Sequence, residues 1–162
     1  MTSKWSHLPN AKHIDWVIKT VEEYAREWSA ANDVGVVARV VAWEAAWNFG
    51  LCDERKTARY AALDAVVGAV GRFLARFNWC EIDAKDAAFD AIDALVAWDS
   101  SGYLLDKSVK EVKELVKEGN HAAVLLLPAV VVKNKLKKNT KLNKPRLFLD
   151  EGAWCALLGD NI

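Results

Sequence analysis

The stretch Val34-Gly-Val-Val-Ala-Arg-Val-Val-Ala-Trp-Glu-Ala-Ala-Trp-Asn48 decides the fold class. Its only charged residues are Arg39 and Glu44. The valines alone would suit a strand. A run of this length is long for a buried strand, and Ala, Trp and Glu inside it favour a helix. A helix with no polar face belongs in the centre of a bundle. We therefore expect residues 34–48 to be the most buried element of an all-α protein. On that reading, Asp placed at Val40 or Val41 should unfold the chain, because an unpaired buried charge costs several kcal/mol.

The flanking sequence agrees with a bundle. From Asn10 to Ala31, Ile14, Val17, Ile18, Val21, Ala25 and Trp28 recur at helical spacing, with Glu22, Glu23, Arg26 and Glu27 opposite. Residues 53–78 carry a broad apolar face from Leu63 to Phe77. Beside it lie Ala61, Ala65, Gly68 and Ala69, a strip small enough for close helix packing. A fourth helix begins near Asp83 and ends at Asp99–Gly102 or runs on to Leu105. Its inner face is Ala84, Ala87, Ala88, Ala91, Ile92, Leu95 and Trp98, and Asp83, Asp86, Asp90 and Asp93 form an outer stripe. Ser108-x-x-Glu111 is a capping box for a fifth helix ending at Gly119. The sixth, residues 120–138, contains Pro128, which predicts a kink or break near Leu127; an extended run over 124–132 is the alternative. Residues 139–149 read as an irregular basic connector and 150–159 as a short C-terminal helix. The whole is a single domain, 1–162, an all-α bundle of six or seven helices around a hydrophobic central helix.

Composition fits. The chain has 162 residues, with 22 basic and 22 acidic side chains, 52% apolar residues, 8 Gly and 3 Pro. That is one domain's length and too apolar for disorder. Neutral net charge gives no global reason to bind nucleic acid or an anionic membrane. Three scattered cysteines, Cys52, Cys80 and Cys155, suit reduced thiols better than a disulfide framework. No apolar leader follows the N-terminus, and no uncharged run reaches the ~20 residues of a membrane span. A soluble, cytoplasmic protein is expected.

The chemical motifs sought are missing. There is no phosphate-binding loop, no G-x-S-x-G, no Glu-x-x-His pair and no grouped Cys and His. We expect no metal and no cofactor. Four features remain. Arg39, Trp43 and Trp47 fall at i, i+4 and i+8, a planar cation beside two indoles that can grip a planar group or a partner side chain. The plainer reading makes both indoles core. Glu44, Asp64 and Asp99 sit in apolar stretches and need partners, for which Arg39, Arg72 and Arg76 are candidates. The aspartate stripe imitates a row of phosphates or is an ordinary solvated face. Finally, residues 81–106 carry seven acids and one Lys, whereas 119–149 carry seven basic residues and no acid. Such a dipolar chain is expected to self-associate, as a dimer or trimer. The nominated binding residues are Arg39, Trp43, Trp47, Asp64, Asp99 and Tyr103.

The run Ala91-Ile-Asp-Ala-Leu-Val-Ala-Trp-Asp-Ser-Ser-Gly-Tyr-Leu-Leu-Asp106, followed by Gly119-Asn-His-Ala-Ala-Val-Leu-Leu-Leu-Pro128, resembles small helical accessory proteins of tailed phages. Those proteins carry a "YDD…YLLD" run and a later "AxLLLPA" run. Here Trp98, Asp99 and Ser100 stand in place of Tyr and two Asp. The resemblance implies a phage-type protein in the host cytoplasm, acting on host machinery or host defence. It carries over no catalytic residue. The function expected is non-enzymatic: binding and blocking a host protein, or sequestering a small molecule. The alternatives are a small enzyme on a nucleotide-like metabolite, with Glu44, Asp64 or Asp99 as acid or base, and a structural or assembly protein.

Overall fold

The computed structural model describes residues 3–32, 36–50, 55–74 and 81–143. Among these residues there are seven α-helices, one 3₁₀ helix and no strand. They are α1 (Ala11–Glu23), α2 (Ala25–Ala31), α3 (Val36–Phe49), α4 (Lys56–Leu74), α5 (Glu81–Ala97), the 3₁₀ helix Ser101–Asp106, α6 (Val109–Lys117) and α7 (His121–Asn143). The all-α bundle expected from the pattern is present.

Helix α5 is the axis of the bundle. From Asp90 to Ala97 every residue is buried. Its Ala84, Ala87, Ala88, Ala91 and Ala94 are buried small side chains, so helices can approach from several sides. Helices α1, α2, α3, α4 and α7 all pack on it. The hydrophobic central helix is thus α5, and residues 34–48 are not the most buried element. In α3, Ala42 and Ala46 are fully buried, but Val37 is 78% exposed and Val40 and Val41 are about half exposed at 48% and 49%. An apolar composition makes burial favourable without supplying a neighbour for every face.

The helices alternate in direction. Asn10, just before α1, donates through Nδ2 to the carbonyls of Leu95 (2.9 Å) and Trp98 (3.0 Å), so α1 starts where α5 ends. Gly50, at the end of α3, also meets that end of α5. A Cβ there would lie 2.3 Å from the Ala97 carbonyl oxygen, so only glycine fits. Arg55, ahead of α4, donates to the Val96 carbonyl at 2.6 Å. The residues before and in the first turn of α7, Asn120 and His121, share a hollow with Trp98. Consequently α3 runs parallel to α5, and α1, α4 and α7 run away from that end. The opposite end collects the starts of α3 and α5 and the last turns of α4 and α7.

Local chemistry explains the element boundaries. The segment 10–31 is two helices because Tyr24 leaves helical geometry (φ −131°, ψ 46°). Thr20 Oγ1 donates back to the Trp16 carbonyl at 2.8 Å and accepts from Trp28 Nε1 at 3.2 Å, a back-bonding pattern that bends helices. The capping box is formed: Glu111 N donates to Ser108 Oγ and Ser108 N to Glu111 Oε1. Gly119, at φ 85°, closes α6 with bonds from Gly119 N and Asn120 N to the Val116 and Leu115 carbonyls.

The last third narrows one expectation and corrects another. Helix α7 passes through Pro128 as one helix, so of the alternatives for 124–132 the break and the extended run are not what forms. Leu125, Leu126, Ala129 and Val130 around the proline are fully buried, and that packing outweighs a proline cost of ~3 kcal/mol. Helix α7 also continues to Asn143, so the first part of the supposed 139–149 connector is helical. Residues 144–149 and the helix expected over 150–159 lie outside the described residues.

Candidate binding site

Helix α3 packs on α5 and α7, whereas α4 packs on α5 and α1. The space between α3 and α4, floored by α5, is bridged by side chains. Arg39 Nε lies 2.9 Å from Asp90 Oδ2, off the line of its N–H, so the contact is an ion pair more than an aligned hydrogen bond. Arg39 also donates through Nη2 to Asn32 Oδ1. One turn on, Trp43 Nε1 donates to Asp93 Oδ2 at 2.9 Å. Arg59 of α4 donates to the same carboxylate, Nε to Oδ1 at 2.7 Å and Nη2 to Oδ2 at 3.4 Å. Its guanidinium sits 4.9 Å from the Trp47 ring centroid, and Trp47 meets Trp43 edge-on at 5.7 Å. Helical spacing produces this ladder: Arg39 and Trp43 face Asp90 and Asp93 in step along two parallel helices, and Trp47, one turn on, packs on Trp43 and Arg59.

Above the ladder is an open cleft of ≈ 330 Å³, walled by Val40, Trp43 and Phe89 and by the charged groups Arg39, Arg59, Asp86, Asp90 and Asp93. Three carboxyls face two guanidinium groups there. Burial pushes the Asp90 carboxyl up to about 7 against the pull of Arg39, with Asp93 and Asp86 adding to the rise. Burial also pushes Asp93 upward, opposed by the hydrogen bonds and charge of Arg59 and by Trp43. Asp86, half-buried at the mouth, is the carboxylate left over.

The expected outer stripe is therefore split. Asp83 is exposed and Asp86 half-buried, but Asp90 and Asp93 point inward. A pattern of charge along one helix cannot reveal arginines brought by two others. Of the nominated residues, Arg39, Trp43 and Trp47 are brought together. Asp64 is exposed on α4 and does not line the cleft. Asp99 lies beyond the C-terminal end of α5, in a bidentate pair with Arg55 (2.6 and 3.0 Å) that holds its carboxyl below the usual range. Tyr103 is exposed on the 3₁₀ helix, with Lys107 Nζ 5.6 Å from its ring. Glu44 is exposed, Arg39 pairs with Asp90 and Asp99 pairs with Arg55, while the side chain of Arg72 lies outside the described residues. Arg76 lies outside the described residues. The acidic and basic regions meet within the chain at Lys133 Nζ and Asp106, 3.2 Å apart.

Arg59, Asp90 and Asp93 were not nominated. Their signal was available: Asp90 and Asp93 are the only charges between Ala87 and Ala97.

Among the described residues no group of His, Cys, Asp and Glu is placed to hold a metal ion. No helix among them is long and apolar enough to cross a membrane. No family model, curated protein or solved structure matches the chain.

Proposed function

We propose that this chain is a non-enzymatic binding protein that docks on another protein through the outward face of α3. The observation that carries this reading is the exposure of Val37, Val40, Val41 and Trp43 on α3, beside exposed Glu44 and Asn48. An exposed apolar patch of a few hundred Å² on a monomer is commonly functional. Trp43, 39% exposed, stands at the edge of that strip towards α5 and is fixed by its bond to Asp93, the pre-set geometry of an interface anchor. In the charged ladder beneath, Arg39 and Arg59 are paired with Asp90 and Asp93, while the buried Trp47 Nε1–H has no acceptor. The resemblance to phage accessory proteins suggests a host protein as the partner. The expected self-association would use the same face, and sedimentation at low and high salt reads it.

A photo-crosslinking residue at Val37, with one at exposed Lys113 on α6 as control, tests the proposal in cells. Support is one defined protein captured from position 37 and lost when Val41→Asp is added. Equal capture from both positions would overturn it.

One observation favours a second reading. The Asp90 carboxyl lines an open cleft and burial pushes it up to about 7, the range in which a general acid works. Arg39 already occupies that carboxyl, which weakens the case.

A further inference from the structure

We propose that the cleft between α3 and α4 seats a basic, apolar segment of the partner protein. A Lys or Arg side chain of that segment reaches Asp86, and an apolar neighbour lies against Val40, Trp43 and Phe89. The inference rests on the reading of α3 as a docking face; it adds α4 as the second rim and names the chemistry of the partner.

The shape comes first. Between α3 and α4 the cleft reaches down to α5, where Asp86 and Phe89 are half-buried. Both rims are apolar. On α3 the rim is Val40 and Trp43. On α4 it is Tyr60 and Val67, each about half exposed. The Tyr60 ring lies 5.4 Å from the Arg59 guanidinium, which lines the cleft, so the stripe Tyr60, Asp64 and Val67, at i, i+4 and i+7, borders it. Arg59 meets Asp93 and α4 runs opposite to α5, which sets Val67, two turns past Arg59, level with Asp86. A groove with two apolar rims takes the apolar face of an amphipathic segment and removes both surfaces from water.

Charge then selects the segment. Inside the cleft, Arg39 and Arg59 are taken by Asp90 and Asp93. Around it, Glu44 on α3, Asp64 on α4 and Asp83 and Asp86 on α5 have no cationic partner among the described residues. The cation beside them is Lys85, whose Nζ lies 5.8 Å from the Phe89 ring centroid. Four carboxylates against one ammonium attract a basic segment and repel a phosphate backbone or an anionic lipid surface. Asp83 is in the first turn of α5, whose positive end offsets part of its charge; Asp86 lies beyond that turn. Asp86 is also the one half-buried carboxylate of the four, so solvent and salt screen it least. The rings of Trp43 and Phe89 in the same cleft add their own attraction for a cation.

Solution NMR of the full chain with short peptides tests this. The probe is acetyl-Leu-Lys-Leu-amide and the control acetyl-Leu-Glu-Leu-amide. Each is titrated to tens of millimolar while the indole N–H signal of Trp43, assigned with Trp43→Phe, is followed. The lysine peptide should shift that signal along a saturating curve, and the glutamate peptide should not. Asp86→Asn should weaken the lysine titration severalfold at an unchanged melting temperature, whereas Glu114→Gln on α6 should leave it as in the wild type. No shift with the lysine peptide, equal shifts with both peptides, or an Asp86→Asn titration that matches the wild type overturns the proposal. The docking reading of α3 is scored separately, by photo-crosslinked capture from position 37. Capture that falls severalfold in Asp86→Lys supports both. Capture that is present but unchanged in Asp86→Lys leaves the α3 reading standing and overturns the seat in the cleft. An Asp86-dependent lysine titration without any capture from position 37 overturns the α3 reading, and with it the assignment of the cleft to a partner protein.

Discussion

At the scale of single residues, Asp93 carries the most. It accepts from Arg59 and from Trp43, and the Arg59 side chain is only 9% exposed. Asp93→Ala would leave a buried guanidinium and an indole N–H without an acceptor. A loss of ~3–5 kcal/mol is expected in denaturant unfolding. Asp99→Ala breaks an ion pair whose carboxylate is 48% exposed, and should cost no more than about 1 kcal/mol. Equal losses would show that the ladder is not the buried half of the site. Asp90 gives a pH signature. Its carboxyl is raised from 3.8 to about 7 in the folded state. Between those pH values the folded chain binds more protons than the unfolded one, so stability falls as pH rises from about 4 to about 7 and then levels. Melting temperatures between pH 5 and 8 should decline in the wild type and be flatter in Asp90→Asn. Parallel curves would exclude Asp90 as the source. The sequence made Arg39, Trp43 and Trp47 legible because one helix supplies all three. Asp90 and Asp93 were misread as solvated because their partners come from elsewhere in the chain.

At the scale of elements, packing decides what each glycine costs. Gly50 stands against the Ala97 backbone, which cannot yield as a flexible side chain would. Gly50→Ala should destabilise by about 1–3 kcal/mol through overpacking. Gly71 lies in the interior of α4 with open space around its missing Cβ. There Gly→Ala should stabilise by roughly 0.5–1 kcal/mol through reduced backbone entropy loss. Denaturant midpoints that move in the same direction for both would contradict the packing described. The small-residue strip read from α4 is only partly an interface, since Ala69 is buried while Gly68 is exposed. Helix existence was legible throughout, from apolar period and caps. Helix rank was not. The alanines of α5 look weakly hydrophobic in sequence, yet their small size lets five helices converge there. The valines of α3 look like core, yet three of them face outward.

At the scale of the whole molecule, the described helices make one bundle with a polar ladder on one side and an apolar strip beside it. Sequence told the fold class because bundle formation needs only the summed periodicity of the helices. It did not tell which apolar face stays uncovered, because that depends on how neighbours divide the space around α5. The central claim is that α3 displays its apolar face outward, and Val41→Asp tests it without knowledge of any partner. Val41 is 49% exposed, so the aspartate can remain hydrated. The variant should unfold cooperatively with a free energy within about 0.5 kcal/mol of the wild type. A loss of about 3 kcal/mol or more, or a chain that fails to fold, would place Val41 in the interior and contradict the account.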